Sequence, residues 1–85
     1  MAGYRVVVKP SAAKELDKIP KRDLERVVKA IQSLSEDPRR HGAQKLSGEE
    51  RYRVRQGDYR VVYEIDDTER VVVIVKVKHR REAYR

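Results

Sequence analysis

In the run Arg51-Tyr52-Arg53-Val54-Arg55 every second residue is an arginine. A β-strand sends successive side chains to opposite faces, so Arg51, Arg53 and Arg55 share one face and Tyr52 and Val54 the other. Arg60, Lys76, Lys78 and Arg80 extend the cationic pattern through the strand-like runs that follow, and the chain closes on His79-Arg80-Arg81-Glu82-Ala83-Tyr84-Arg85. Like charges on neighbouring strands repel, and a merely solvated face normally mixes signs. Within the strands Glu64 is the one carboxylate interleaved with these cations, and the other nearby acids sit mainly at turns. Such a face fits a polyanion, most simply a phosphate backbone, whose charge relieves the repulsion. The guanidinium fork matches phosphate oxygens bidentately and suits a clamp on charge that grows there. Arginine essentially never gives up its proton, so Arg53 and Arg55 are poor general bases.

Other chemistries have less support. His41 and His79 are the two histidines and cysteine is absent, so no metal-ligand spacing exists; no metal and no cofactor are expected. Ser11, Ser33, Ser35 and Ser47 lie in no nucleophile motif, and no Gly-rich phosphate loop is present. Asp66-Asp67 reads as a solvated turn. His79 continues the row Val73, Val75, Val77 and reads either as a half-buried structural residue or as an acid–base group. Tyr84 is either an anchor for the C-terminus or a phenol whose ionised form is favoured by surrounding cations.

These side chains need a scaffold, and 85 residues supply one small domain, residues 1–85. A hydrophobic fraction of 39% suffices only because the apolar residues are patterned, and burial offsets chain entropy narrowly at this size. The net charge of +7, from 21 Lys+Arg against 14 Asp+Glu, points to an anionic partner. The apolar runs are too short to span a membrane and Met1-Ala2-Gly3-Tyr4 leads straight into a strand pattern, so a cytoplasmic location without membrane contact is expected.

Tyr4 to Lys9 alternates as a strand. Ser11 reads as the N-cap of a short helix, Ala12 to Lys18, broken at Ile19-Pro20. Leu24, Val27, Val28, Ile31 and Leu34 recur at helical spacing and predict a second helix over Lys21 to Ser35, stopped by Asp37-Pro38. The short link between the helices implies a helical hairpin. Arg39 to Glu50 is a polar connection. Three strands follow: Arg51 to Gln56, Tyr59 to Asp66, and Arg70 to Lys78, the last an almost continuous Val/Ile run expected to be buried on both sides at its start. The fold class is α+β, in the order β-α-α-β-β-β, with the helical hairpin packed on a mainly antiparallel sheet.

The same residues carry a resemblance over nearly the whole chain. Pro10-Ser11-Ala12-Ala13, Leu46-Ser47-Gly48, the segment Tyr52-Arg53-Val54-Arg55-Gln56-Gly57-Asp58-Tyr59-Arg60-Val61-Val62-Tyr63 and the ending His79 to Arg85 resemble toxins of the RelE/ParE superfamily of toxin–antitoxin modules, the RelE branch more than ParE. The resemblance implies a toxin that cuts messenger RNA in the ribosomal A site and is restrained by a RelB-like antitoxin. It places Arg53 and Arg55 at the paired basic positions of the second strand, Arg60 at the arginine of the third, Arg80 after the last strand with Arg81 as its rival, and Tyr84 at the C-terminal tyrosine. Strand parity favours Arg80, which falls in the Lys76–Lys78 row. This chain departs from the family in having arginines where relatives often carry lysines, and in ending one residue after Tyr84 without a longer C-terminal helix.

The implied mechanism is substrate-assisted. The ribose 2′-OH attacks the adjacent phosphorus, and fixed cations stabilise the phosphorane oxygens without a metal. Arg60 and Arg80 are the expected clamp, with Arg53, Arg55, Lys76, Lys78 and Arg81 on the flanking phosphates. Tyr84 is the expected proton acceptor and His79 the fallback. The alternative is a non-cleaving binder or a ParE-like inhibitor of DNA gyrase.

Overall fold

The computed structural model describes residues 3–46 and 50–83, with Glu82 and Ala83 described by their backbone alone. The elements are β1 (Arg5–Val8), α1 (Pro10–Asp17), α2 (Lys21–Ser33), β2 (Gln44–Lys45), β3 (Arg51–Gln56), β4 (Tyr59–Asp66), β5 (Val71–His79) and α3 (Arg80–Ala83). Two helices, α1 and α2, pack on one face of a five-stranded sheet ordered β1-β5-β4-β3-β2. β1 runs parallel to β5 and every other neighbouring pair is antiparallel.

α1 begins at Pro10, not after Ser11. Lys9 is the extended N-cap residue, and Pro10 fits the first helical position because its missing N–H would have no helical partner there. α2 ends at Ser33, two residues before the expected end. The Leu34 and Ser35 amides donate three residues back, to Ile31 and Gln32, so the last turn tightens. α2 presents Val27, Ala30 and Ile31 to the sheet, with Leu34 just past its end. Val27, Ile31 and Leu34 meet Val54, Val61, Tyr63, Val72, Ile74 and Val77 in one core. Tyr63 is fully buried and its hydroxyl donates to the Pro38 carbonyl at 2.6 Å. Burial pushes its phenol up to about 12.

The pairing of β4 with β5 slips by one residue. Val62 pairs with Lys76 and Tyr63 with Ile74, so Val75 is the extra residue of a β-bulge. Strict alternation from Val72 and Ile74 would turn Lys76 and Lys78 into the core. The bulge resets the parity: Val77 joins the core, while Lys76 and Lys78 share the outer face with their partners Val62 and Arg60. The expected row Val73, Val75, Val77, His79 is therefore broken, with Val73 on the outer face beside Glu64. Nor is the start of β5 buried on both sides. Val72 and Ile74 are fully buried on the inner face, whereas Val71 and Val73 are half-buried on the outer one.

The two-residue strand β2 and the short α3 were not expected from the sequence. β2 lies in the polar connection and pairs Gln44 with Arg53 and Lys45 with Tyr52. Among the described residues no helix is long and apolar enough to cross a membrane.

Candidate nucleic-acid interface

The outer face collects its cations at one end. Arg55, Arg60 and Lys78 stand directly opposite one another across β3, β4 and β5, and Arg53, Val62 and Lys76 form the next row. The third row is Arg51, Glu64 and Val73. There Arg51 Nε donates to Glu64 Oε2 at 2.9 Å, which takes the first arginine of the alternating run out of the cationic cluster.

Arg53, Arg55 and Arg60 line a single cleft of about 200 Å³ together with Gly42 and Gln44. β3 supplies two of the arginines and β4 the third, with the hairpin turn Gly57-Asp58 closing the strands between them. Gly57 has φ +59, a backbone state that costs glycine little and a side-chain-bearing residue more. Gln44 was not foreseen as part of the site. Its Oε1 accepts from Arg53 Nε at 3.1 Å and Arg53 Nη2 at 2.8 Å, which fixes the plane of the guanidinium. Nothing in local sequence marks this glutamine, because its strand is two residues long and lies in a polar connection.

That connection is tied down from the far end of the sheet. Arg39 holds Asp67 through Nη1 at 3.0 Å and Nη2 at 2.8 Å, donates from Nε to the Tyr52 hydroxyl at 3.2 Å, and lies over the Tyr52 ring. The Tyr4 hydroxyl donates to the same carboxylate at 2.8 Å. Asp67 is an exposed turn residue, as expected, and in addition it links the N-terminus, the α2–β2 connection and the β4–β5 turn. The Arg39 guanidinium, helped by Tyr4, lowers its carboxyl to about 2 from an ordinary 3.8. Hydrogen bonding to Asp67 raises Tyr4 above its usual phenol value.

Arg80 and Arg81 sit where β5 gives way to α3. Their open basin is also lined by Asp58 and His79. The strand stops at His79, so parity with Lys76 and Lys78 does not extend to Arg80. Arg80 is located instead by the hairpin turn: its N–H donates to the Asp58 carbonyl at 2.6 Å, and Nη1 lies 3.9 Å from Asp58 Oδ1. His79 packs edge-on against Tyr59, with ring centroids 5.2 Å apart, and its Nδ1 accepts the Arg81 N–H at 3.2 Å. With Nδ1 accepting, a neutral ring carries its proton on Nε2, and its basic nitrogen is already engaged. Lys76 is exposed on the outer face, while the Lys78 ammonium is carried by Glu15 of α1. Tyr84 lies outside the described residues. Among those described, no three His, Cys, Asp or Glu side chains gather as a metal-ligand set.

This arrangement of basic sheet and helical pair has close counterparts. The family model described as ParE toxin of the type II toxin–antitoxin system parDE matches residues 6–84. The chain belongs to the RelE/ParE superfamily of type II toxin–antitoxin toxins. It is 40% identical to Toxin RelG of Mycobacterium tuberculosis, over 96% of this chain and 97% of that one. A chain of the RelBE2 toxin–antitoxin complex from M. tuberculosis superposes with a TM-score of 0.82 at 36% identity, covering 92% of this chain and 99% of that one. A chain of the archaeal RelE–RelB complex from Pyrococcus horikoshii gives 0.79 at 30% identity, with 94% and 97% covered. Within this superfamily the present toxin places Arg53, Arg55 and Arg60 in one cleft and Arg80 and Arg81 in a basin at the same end of the sheet.

Proposed function

We propose that this toxin is a RelE-like endoribonuclease that cleaves messenger RNA in the ribosomal A site. The observation that carries the reading is the convergence of Arg53, Arg55 and Arg60 on one cleft. Three guanidinium groups so placed suit a bent phosphate backbone and the charge of a phosphorane. In the reaction the 2′-oxygen attacks phosphorus, the P–O5′ bond breaks, and the products are a 2′,3′-cyclic phosphate and a 5′-hydroxyl. Arg60 and Arg80 clamp the non-bridging oxygens. Arg53, held by Gln44, and Arg55 hold the flanking backbone, with Lys76 and Arg81 at the margins. Tyr84 takes the 2′-OH proton. His79 is less suited to that role, since its Nδ1 is engaged by the Arg81 amide. The leaving 5′-oxygen takes a proton from water or from the ribosomal site. With few acid–base groups of its own, the toxin relies on the ribosome to align the 2′-OH in line with the leaving oxygen.

The restraining partner is a RelB-like antitoxin. The M. tuberculosis and P. horikoshii counterparts are both known in complexes with antitoxins, and a +7 chain suits an acidic wrapping segment. A second reading, inhibition of DNA gyrase, is favoured by the ParE description of the matching family. Primer extension on messages after induction of the toxin separates the two. Cleavage within codons of translated messages supports the endonuclease, and intact messages with arrested supercoiling support the gyrase inhibitor.

A further inference from the structure

β1 runs beside β5 only as far as the pair Val8 and Ile74. The Lys9 N–H donates to the Ile74 carbonyl at 3.0 Å, and the chain then turns into α1. β5 continues through Val77, Lys78 and His79 before delivering Arg80 to α3. Glu15 of α1 lies against this stretch, its side chain only 18% exposed. Oε1 accepts the Val77 N–H at 2.9 Å and Oε2 carries the Lys78 ammonium. One carboxylate thus stands where the next residues of an edge strand would be, and charge-assisted bonds of this kind are stronger than neutral ones.

We propose that Glu15 is a positioning residue for the phosphate site: by standing in for the missing edge strand it fixes the end of β5 from which Arg80 departs. The proposal rests on the endonuclease reading above. Glu15 touches no substrate. It acts through the Val77 amide, and secondarily by drawing the Lys78 ammonium toward α1 from the row it shares with Arg55 and Arg60. Without it the last residues of β5 fray, and Arg80 samples positions away from the clamp.

The test compares Glu15→Ala, which removes the acceptor, with Glu15→Gln, which keeps an acceptor oxygen for Val77. Amide exchange and single-turnover message cleavage at saturating ribosomes are measured on the full chain. The expected result is that Glu15→Ala speeds exchange at Val77 to His79 at least about tenfold while Val61 and Tyr63 stay protected. Its cleavage rate should fall about tenfold or more, with the half-saturating ribosome concentration unchanged, and Glu15→Gln should stay within about threefold of the parent. A folded Glu15→Ala with parental exchange or parental rate overturns the proposal, as does a tenfold loss in Glu15→Gln. If Glu15→Ala does not fold, Glu15→Met, which keeps the side-chain length but removes the acceptor, replaces it under the same limits. If the parent cleaves no message, the endonuclease reading fails, and growth arrest replaces cleavage as the readout. Faster exchange with loss of arrest in Glu15→Ala then supports the positioning role, and undiminished arrest overturns it.

Discussion

Arg55 and Arg60 face each other directly across the β3–β4 hairpin, two guanidinium-bearing side chains on one outer face, and Lys78 stands on the far side of Arg60. Directly opposed like charges weaken a sheet by a few tenths to about 1 kcal/mol. On the proposed reading an RNA phosphate sits on this row and offsets that repulsion. Arg60→Ala should change the melting temperature little, since Arg60 lies on the outer face away from the core. It should also lower message cleavage about 10²-fold, the scale of one lost contact to transition-state charge. Thermal melts and single-turnover rates on the same preparation check both halves.

Gln44 is expected to matter through Arg53. Gln44→Ala releases the guanidinium and should reduce cleavage about 2- to 10-fold, the worth of one hydrogen-bond set at an exposed site. Gln44→Glu holds Arg53 at least as firmly but sets a carboxylate in the cleft. It should weaken binding to the message more than Gln44→Ala does while leaving the melting temperature undiminished. Equal activity in both variants would remove Gln44 from the site.

Asp67 gives the fold an acid limb. Its carboxyl lies at about 2 in the folded chain against an ordinary 3.8, so the folded state favours the ionised form. That contribution is fully present above about pH 4 and is lost as the pH falls from there through about 2. Asp67→Asn should lose less stability over this range than the parent, a difference read from melting temperatures taken in steps of pH. Because the Arg39–Asp67 bridge also ties down the connection that carries Gln44, the variant should show faster exchange through residues 39–44 at neutral pH.

Most of this architecture was legible in the chain. β3 and β4 begin and end where the alternation of arginine or apolar residues placed them, because a one-sided core demands period two. What the sequence withheld lies in tertiary pairing. The bulge at Val75 has no local signature, yet it decides that Lys76 and Lys78 face outward while Val77 stays in the core. Gln44, Asp67 and Glu15 look like ordinary surface residues. Each acquires its role from a partner many positions away: Arg53, Arg39 and the Val77 amide respectively. Strand parity, used to prefer Arg80 over Arg81, does not reach past His79, and Asp58 locates Arg80 instead.

For Tyr84 the prediction separates a base from an anchor. If the hydroxyl takes the 2′-OH proton, Tyr84→Phe and Tyr84→Ala should both slow single-turnover cleavage about 10²-fold or more with ribosome binding nearly unchanged. If the ring merely stacks or anchors, Tyr84→Phe should keep most activity and Tyr84→Ala lose it. The latter pattern would move the proton acceptor away from Tyr84.

In the proposed reaction the arginine cleft promotes attack by the message's own 2′-OH. The most direct measurement is the chemistry of the ends produced when the purified toxin acts on a programmed ribosome. Attack by the 2′-OH gives a 2′,3′-cyclic phosphate on the upstream fragment and a 5′-hydroxyl on the downstream one, both expected to be abolished by Arg60→Ala. A 3′-hydroxyl paired with a 5′-phosphate, or ends of either kind undiminished in Arg60→Ala, would contradict it.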